Sequence, residues 1–210
     1  MSVPHEADPL VVTGPTLSLR YARAADAPRL FELASDPAVT RFFSWGPYCD
    51  LEQAIAYVDS LPGQRERAER LEFVIVDSRD RPIGVTGLSE LSRRDRRAVI
   101  GTWLGRPHWG SGANAESKAL LLALAFGALG LLRVTAWANP ANSRSIGALE
   151  RVGFVHEGVL RSWHLHDGAP RDVAVLRLLR GEWLAGPLAR VDVRIEGSAP
   201  PQFLTGALAK

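Results

Sequence analysis

At 210 residues, with 46% hydrophobic and 23% charged residues, the chain has the length and make-up of one soluble globular domain with a proper core. A formal charge of +2 points mildly to an anionic ligand; with no long Lys/Arg block and no basic–aromatic interleaving, it speaks against nucleic acid. Cys49 is the only cysteine, which excludes a disulfide framework or a cysteine metal site within one chain and favours a reducing, cytoplasmic compartment.

The opening MSVPHEADPLVVTGP has acids and prolines where a signal peptide needs a basic start and an apolar core, so residues 1–15 read as an N-terminal arm. TLSLRYA (16–22) reads as a strand. A helix is expected over 26–35, with Asp26 as N-cap and Pro28 in its first turn, and a second over 50–61, again opened by an aspartate. LEFVIVD (71–77), RPIGVTGLSEL (81–91) and RAVIGTWL (97–104) read as strands joined by short antiparallel turns. The second turn holds Arg93, Arg94, Arg96 and Arg97 around Asp95 and suits a solvated hairpin tip. A helix from about Ala113 to Leu129 follows, with Gly130 as its stop. Its apolar stretch, 119–132, is too short to span a bilayer and suits a buried core helix, so no membrane partner is expected. A strand at 132–138, a helix at 142–153 and a hairpin (154–165, 170–180) around Asp167-Gly168 complete an α/β order. Antiparallel strands come first, then one β-α-β crossover.

That crossover holds Gly110-Ser111-Gly112-Ala113-Asn114-Ala115, which satisfies the letter of a dinucleotide fingerprint. Five residues separate the turn from the strand, however, and no acid lies between Glu116 and Glu150, where a Rossmann site wants one roughly 20 residues on. A P-loop fails too, lacking Gly-Lys-Ser/Thr. What remains is a turn with little side chain at a helix N-terminus, offering free N–H groups and a positive dipole end to a phosphate.

Further motifs join it: Trp109 before the turn, Asn142-Ser-Arg-Ser145 at a helix start, Leu149-Glu150-Arg-Val-Gly153-Phe154, then Asp172 and Glu182-Trp183. As a set they resemble the GNAT superfamily of acyl-CoA-dependent N-acetyltransferases, in particular its RimJ/RimL branch, over about residues 16–184. The resemblance implies a strongly twisted, mixed seven-stranded sheet flanked by about four helices and splayed where acyl-CoA enters. It implies that the amides of Gly110 to Ala115 hold the CoA pyrophosphate and that the pantetheine arm follows the strand ending at Leu104. Asn142 would touch that arm, and Ser145 would lie near the thioester sulfur as general acid. The implied reaction is direct attack of a primary amine on acetyl-CoA in a ternary complex. The acceptor is a protein N-terminus, a peptide or a small molecule, with a homodimer left open.

The chain departs from this pattern in two places. Pro107 stands where the family often has Gln or Arg, and Val99 stands where the preceding strand often carries a glutamate base. Glu90 is the nearest acidic substitute; Asp172, His164 and His166 are further candidates on the acceptor side. Two histidines on one strand face lack a third ligand, so no metal is expected. Glu116, in the first helical turn, reads as a dipole or packing residue. Val99 is also what a non-catalytic acyl-CoA-binding or protein-interaction module would show. Because proximity supplies much of the rate, an enzyme is the better reading. The acceptor pocket is expected from loop 36–49 and the final hairpin. In the C-terminal extension, 185–210, Val191, Val193 and Ile195 alternate with charges as in a half-buried strand.

Overall fold

In the computed structural model, which describes residues 9–166 and 168–205, the chain begins with β1 (Val11–Thr13) and β2 (Ser18–Arg20). The helices α1 (Ala27–Ala34), α2 (Pro37–Thr40) and α3 (Leu51–Glu66) follow. Next come β3 (Arg70–Val76), β4 (Pro82–Ser92), β5 (Arg97–Leu104), α4 (Ala113–Ala123) and β6 (Arg133–Ala138). The chain continues through α5 (Ser143–Arg151), β7 (Val155–His166), β8 (Ala169–Leu179), α6 (Arg180–Ala185) and β9 (Arg194–Glu196). All strands join one sheet in the order β7-β8-β6-β5-β4-β3-β2-β1-β9. Only β5 and β6 pair in parallel, the geometry that a helical crossover through α4 allows.

The sheet has nine strands where seven were expected. The family's seven correspond to β2–β8, and two short strands extend the β2 edge. One, β1, lies within the expected arm; residues 1–8 of that arm fall outside the described residues. The other, β9, pairs antiparallel with β1, Val12 opposite Ile195. It covers 194–196 only; Val191 and Val193 instead rest partly buried against the core. A short strand cannot persist unpaired, so the two edges satisfy each other's backbone groups.

Helix α4 is the core of the fold. Leu120, Leu121, Leu122, Leu124 and Ala125 are fully buried, and Phe126 nearly so. Residues 124–128 widen into a π turn, and Gly130, at φ +72°, ends the helix as expected. Arg96 donates Nε to the Gly130 carbonyl at 2.8 Å and Arg93 to that of Leu204 at 2.9 Å. The arginine-rich hairpin tip is therefore partly a cap and a strap, not only a solvated turn.

Two helix expectations also change. Asp26 begins α1 but its carboxylate makes no cap bond to that helix. It is taken by Arg20 in a buried two-pronged pair, 2.8 and 2.9 Å, because a buried guanidinium needs a counter-charge more than α1 needs a cap. Helix α3 runs through Pro62 to Glu66 instead of stopping at 61. Burial of Ala54, Val58 and Leu61 outweighs the lost amide, and Gln202 binds the Arg65 carbonyl beyond it. Asp50 does cap α3, in a capping box with Gln53. Glu182-Trp183 serves packing: Glu182 accepts from the Leu179 amide and from Arg177, and Trp183 lies 5.4 Å from Phe126.

Candidate active site

Strands β5 and β6 are paired from Arg97–Arg133 to Ile100–Ala136 and no further. Beyond that point Gly101–Leu104 and Trp137–Ala138 part, leaving one backbone edge of β5 without a strand partner. A Cβ placed on Gly101 would meet nothing within 4 Å, so the gap is open where it begins. The indole of Trp109 donates to the Leu104 carbonyl at 2.8 Å and fixes the chain as it leaves β5.

That anchored tryptophan leads into the glycine turn. Gly110 (φ +74°) and Gly112 (φ +91°) sit in the left-handed region, and an added Cβ at either would project into open space. Gly112 begins α4 without a side-chain cap, and its carbonyl accepts from the amides of Ala115 and Glu116 at 3.0 and 3.1 Å. Ala113 N–H is turned to Ser111 Oγ at 3.3 Å. Among the described residues, the amides of Gly110, Ser111, Gly112 and Asn114 find no acceptor. The turn thus offers four free donors rather than the whole run from 110 to 115. Glu116 does not face this site; its carboxylate holds the Thr16 and Leu17 amides at 2.7 and 2.9 Å, a packing role.

Two cavities of ≈ 560 Å³ each open on either side of the splay. The first is lined by Leu104, Trp109, Gly110, Gly112, Ala115, Arg144 and Arg151, among others, and its wall carries no carboxylate. The guanidinium carbon of Arg144 lies over the Trp109 ring, 3.4 Å from its centroid. A wall with free amides and two guanidinium groups suits a phosphate-bearing ligand.

The second cavity is the more mixed. It is lined by Glu72, Glu90, Val99, Lys118, His164, His166, Arg171 and Asp172, with the aromatic loop from Phe42 to Tyr48 across it. Trp45 stands 5.7 Å from Trp103 and 5.5 Å from Tyr48. Ser89 pairs with Val99, and the register between β4 and β5 slips immediately afterwards. Glu90 lies in that bulge at φ +51°, exposed and facing the cavity; a bulge re-aims a side chain in this way. Asp172 is already engaged, by Arg161 at 2.9 Å and the Ser162 amide. His164 and His166 stack at 5.8 Å, and no group of three metal-ligating side chains occurs among the described residues. Asp167 lies outside the described residues.

The two cavities share a wall made by Phe42, Phe43, Thr102, Trp103, Asn114, Asn142 and Ser145. Asn142 begins α5 and accepts the Ser145 amide at 3.1 Å. That bond leaves the half-buried Ser145 hydroxyl without a protein partner among the described residues, at the junction.

A family model for the GNAT acetyltransferase domain matches residues 16–155. The chain belongs to that family. It is 35% identical over 172 residues to the uncharacterized N-acetyltransferase p20 of Bacillus licheniformis, covering 80% of this chain and 94% of the relative. A solved acetyltransferase structure from T. thermophilus superposes with a TM-score of 0.73 at 32% identity, covering 88% of this chain and 95% of the other. The spermidine N-acetyltransferase of Vibrio cholerae, solved with CoA and spermine, shares the fold: TM-score 0.69, 22% identity, 80% of this chain and 98% of that one. The chain is accordingly an N-acetyltransferase of the GNAT family, whose acyl donor is acetyl-CoA. No described helix is long and apolar enough to cross a membrane.

Of the residues singled out by sequence, Leu104, Trp109, Gly110, Gly112 and Ala115 line the first cavity and Glu90 the second, with Asn114, Asn142 and Ser145 on both, while Ser111 and Ala113 line neither. Sequence reading missed Arg144, Arg151, Lys118 and Glu72. The first two look like ordinary surface charges of α5, and nothing local distinguishes them. A lysine inside an apolar helix stretch, by contrast, was a visible signal.

Proposed function

We propose that the chain transfers an acetyl group from acetyl-CoA to a primary amine by direct attack, in the manner of the RimJ/RimL-like branch and in the cytoplasm. One observation carries the reading: a cavity with free amides and cations meets a second, carboxylate-bearing cavity at Asn114, Asn142 and Ser145. The first suits the cofactor. Open space over Gly110 and Gly112 fits the pyrophosphate, with Arg144 and Arg151 as counter-charges, and the free edge at Gly101–Leu104 fits the pantetheine arm. The second suits the amine, whose positive charge before deprotonation Glu90 can match, Glu72 and Asp172 being already paired with Arg70 and Arg161.

In this reading the amine nitrogen forms the new C–N bond, and the C–S bond then breaks to release the thiolate. Glu90, reaching the cavity from its bulge, takes the proton that the amine sheds. Ser145 delivers a proton to the departing thiolate, directly or by relay from water, and proton transfers of this kind contribute about 10²–10⁴-fold. Holding both reactants against one wall supplies much of the remaining rate.

The test is acetyl-CoA-dependent thiol release across a library of polyamines, peptides with free N-termini and aminoglycosides, with mass spectrometry of the products. Amine-dependent release with a matching acetylated product supports the reading. Release that no amine stimulates, or an acetylated enzyme that accumulates without acceptor, overturns it.

A further inference from the structure

Lys118, the only lysine among the described residues, is buried, with 5% of its surface exposed. It sits one and a half turns into α4, flanked by fully buried Ser117 and Ala119, where an apolar side chain would pack at no electrostatic cost. Its recorded hydrogen bond is a donation from Nζ to Asn114 Oδ1 at 2.6 Å, and among the described residues no carboxylate forms an ion pair with it. Burying an ammonium without a counter-charge is costly, and an ammonium has three donors of which Asn114 takes one. Lys118 lines the acceptor cavity together with Val99, Ile100, Gly101 and Ala136, the residues at the mouth of the splay. Asn114, which holds it, lines both cavities. A cation thus lines the acceptor cavity, tied to a residue of the wall that the two cavities share, and its missing partner is an anion.

We propose that Lys118 is a further catalytic residue, its ammonium, anchored by Asn114, holding the negative charge that develops on the acyl carbonyl oxygen of the donor thioester. The inference rests on the transferase reading above. As the amine forms the C–N bond, the carbonyl π electrons move onto oxygen; they return as the C–S bond breaks, and Lys118 keeps its proton throughout. Such a charge exists only during reaction, which is where a fixed, desolvated cation contributes most. Burial alone pulls the lysine pKa down to about 8, so the cation is present at neutral pH and lost in mild base. The cavity's other titratable groups are Arg70 and Glu72 on β3, Glu90 on β4, His164 and His166 on β7, Arg171 and Asp172 on β8, and the phenols of Tyr48 and Tyr57. On α4 itself, Glu116 is committed to Thr16 and Leu17.

The experiment compares wild type with Lys118→Met, using acetyl-CoA and hydroxylamine, an amine that stays uncharged from neutral to mildly basic pH, over the uncatalysed background. The expected ratio of kcat values at pH 7 is about 10²–10³, the usual effect of one oxyanion donor. KM for acetyl-CoA should stay within about threefold, because the charge is absent from the ground state. The ratio should shrink towards one as pH rises past about 8. A ratio that grows with pH would make Lys118 a proton acceptor, and a ratio near one or flat in pH would make it structural; either overturns the proposal. Asn114→Ala, which keeps the lysine, should lose about tenfold with the same pH trend, and a pH-independent loss there counts equally against it. A wild type that acetylates no amine overturns the transferase reading and this inference together; an active wild type matched by Lys118→Met overturns this inference alone.

Discussion

The two cavities that meet at Ser145 are built from different materials. The half proposed for the cofactor offers mostly backbone: a free strand edge at 101–104 and four unpaired amides in the turn at 110–114, drawn from one short stretch of chain. The half proposed for the acceptor is mostly side chain, collected from three helices, the six strands β3–β8 and the loop at 42–48. A ligand that never changes can be held by backbone, whose demands on sequence are strict and local. A ligand that differs between relatives is held by side chains, which vary without disturbing the sheet. The comparison explains why the donor is legible in this chain and the acceptor is not.

Substitutions at the shared wall should have the largest effect, since they disturb both halves. Ser145→Ala should lower kcat by about 10²–10⁴-fold, as loss of a general acid does, with KM for acetyl-CoA little changed; steady-state kinetics with any accepted amine decides it.

Lys118 gives the next effect, on stability. Its folded-state pKa is lowered from 10.5 to about 8, so between those values the unfolded chain binds more protons than the folded one, and folding stability rises with pH. Relative to Lys118→Met, the wild type should gain about 2 kcal/mol of unfolding free energy from about pH 7 to about pH 10. Parallel denaturant titrations measure it, and identical pH trends in both proteins would contradict a buried charged lysine.

On the cofactor side alone, Arg144→Ala removes a charge and a guanidinium stacked on Trp109. Acetyl-CoA binding should weaken about threefold to tenfold by calorimetry, while the KM for the amine stays put. On the acceptor side alone, Glu90→Gln should slow turnover chiefly at low pH, where the amine arrives protonated. A pH–rate profile unchanged from wild type would move the proton to Asp172, a histidine or solvent. The smallest effect concerns neither cavity: with β9 paired to β1, limited proteolysis should be slow around Arg190 and Arg194 in the folded protein.

Strong periodicity made most elements readable. The strands from β3 to β6, the core helix with its Gly130 stop and the final hairpin all lie within a few residues of their expected places. What failed to read was decided by partners distant in sequence. The three-residue β1 carries no pattern of its own and exists because β2 and β9 flank it. Asp26 fits an N-cap locally, yet a buried arginine six residues away claims it. At the site, the glycine turn was legible because its constraint is local; how many of its amides are free was not, since Gly112 O and Ser111 Oγ take three of those around it. Glu90 could be picked out only as an acid near Val99, because the bulge that aims it is a property of the β4–β5 register. Arg144 and Arg151 gained meaning only when α5 came to face the turn.

The central claim is that the turn at 110–114 is where acetyl-CoA is held. The most direct measurement is calorimetric titration of acetyl-CoA into Gly112→Glu, with circular dichroism confirming the fold. A glutamate there projects into the open space over the turn and sets a negative charge against the phosphates, so binding should fall below detection. Unchanged affinity in a folded variant would contradict the account and put the cofactor elsewhere.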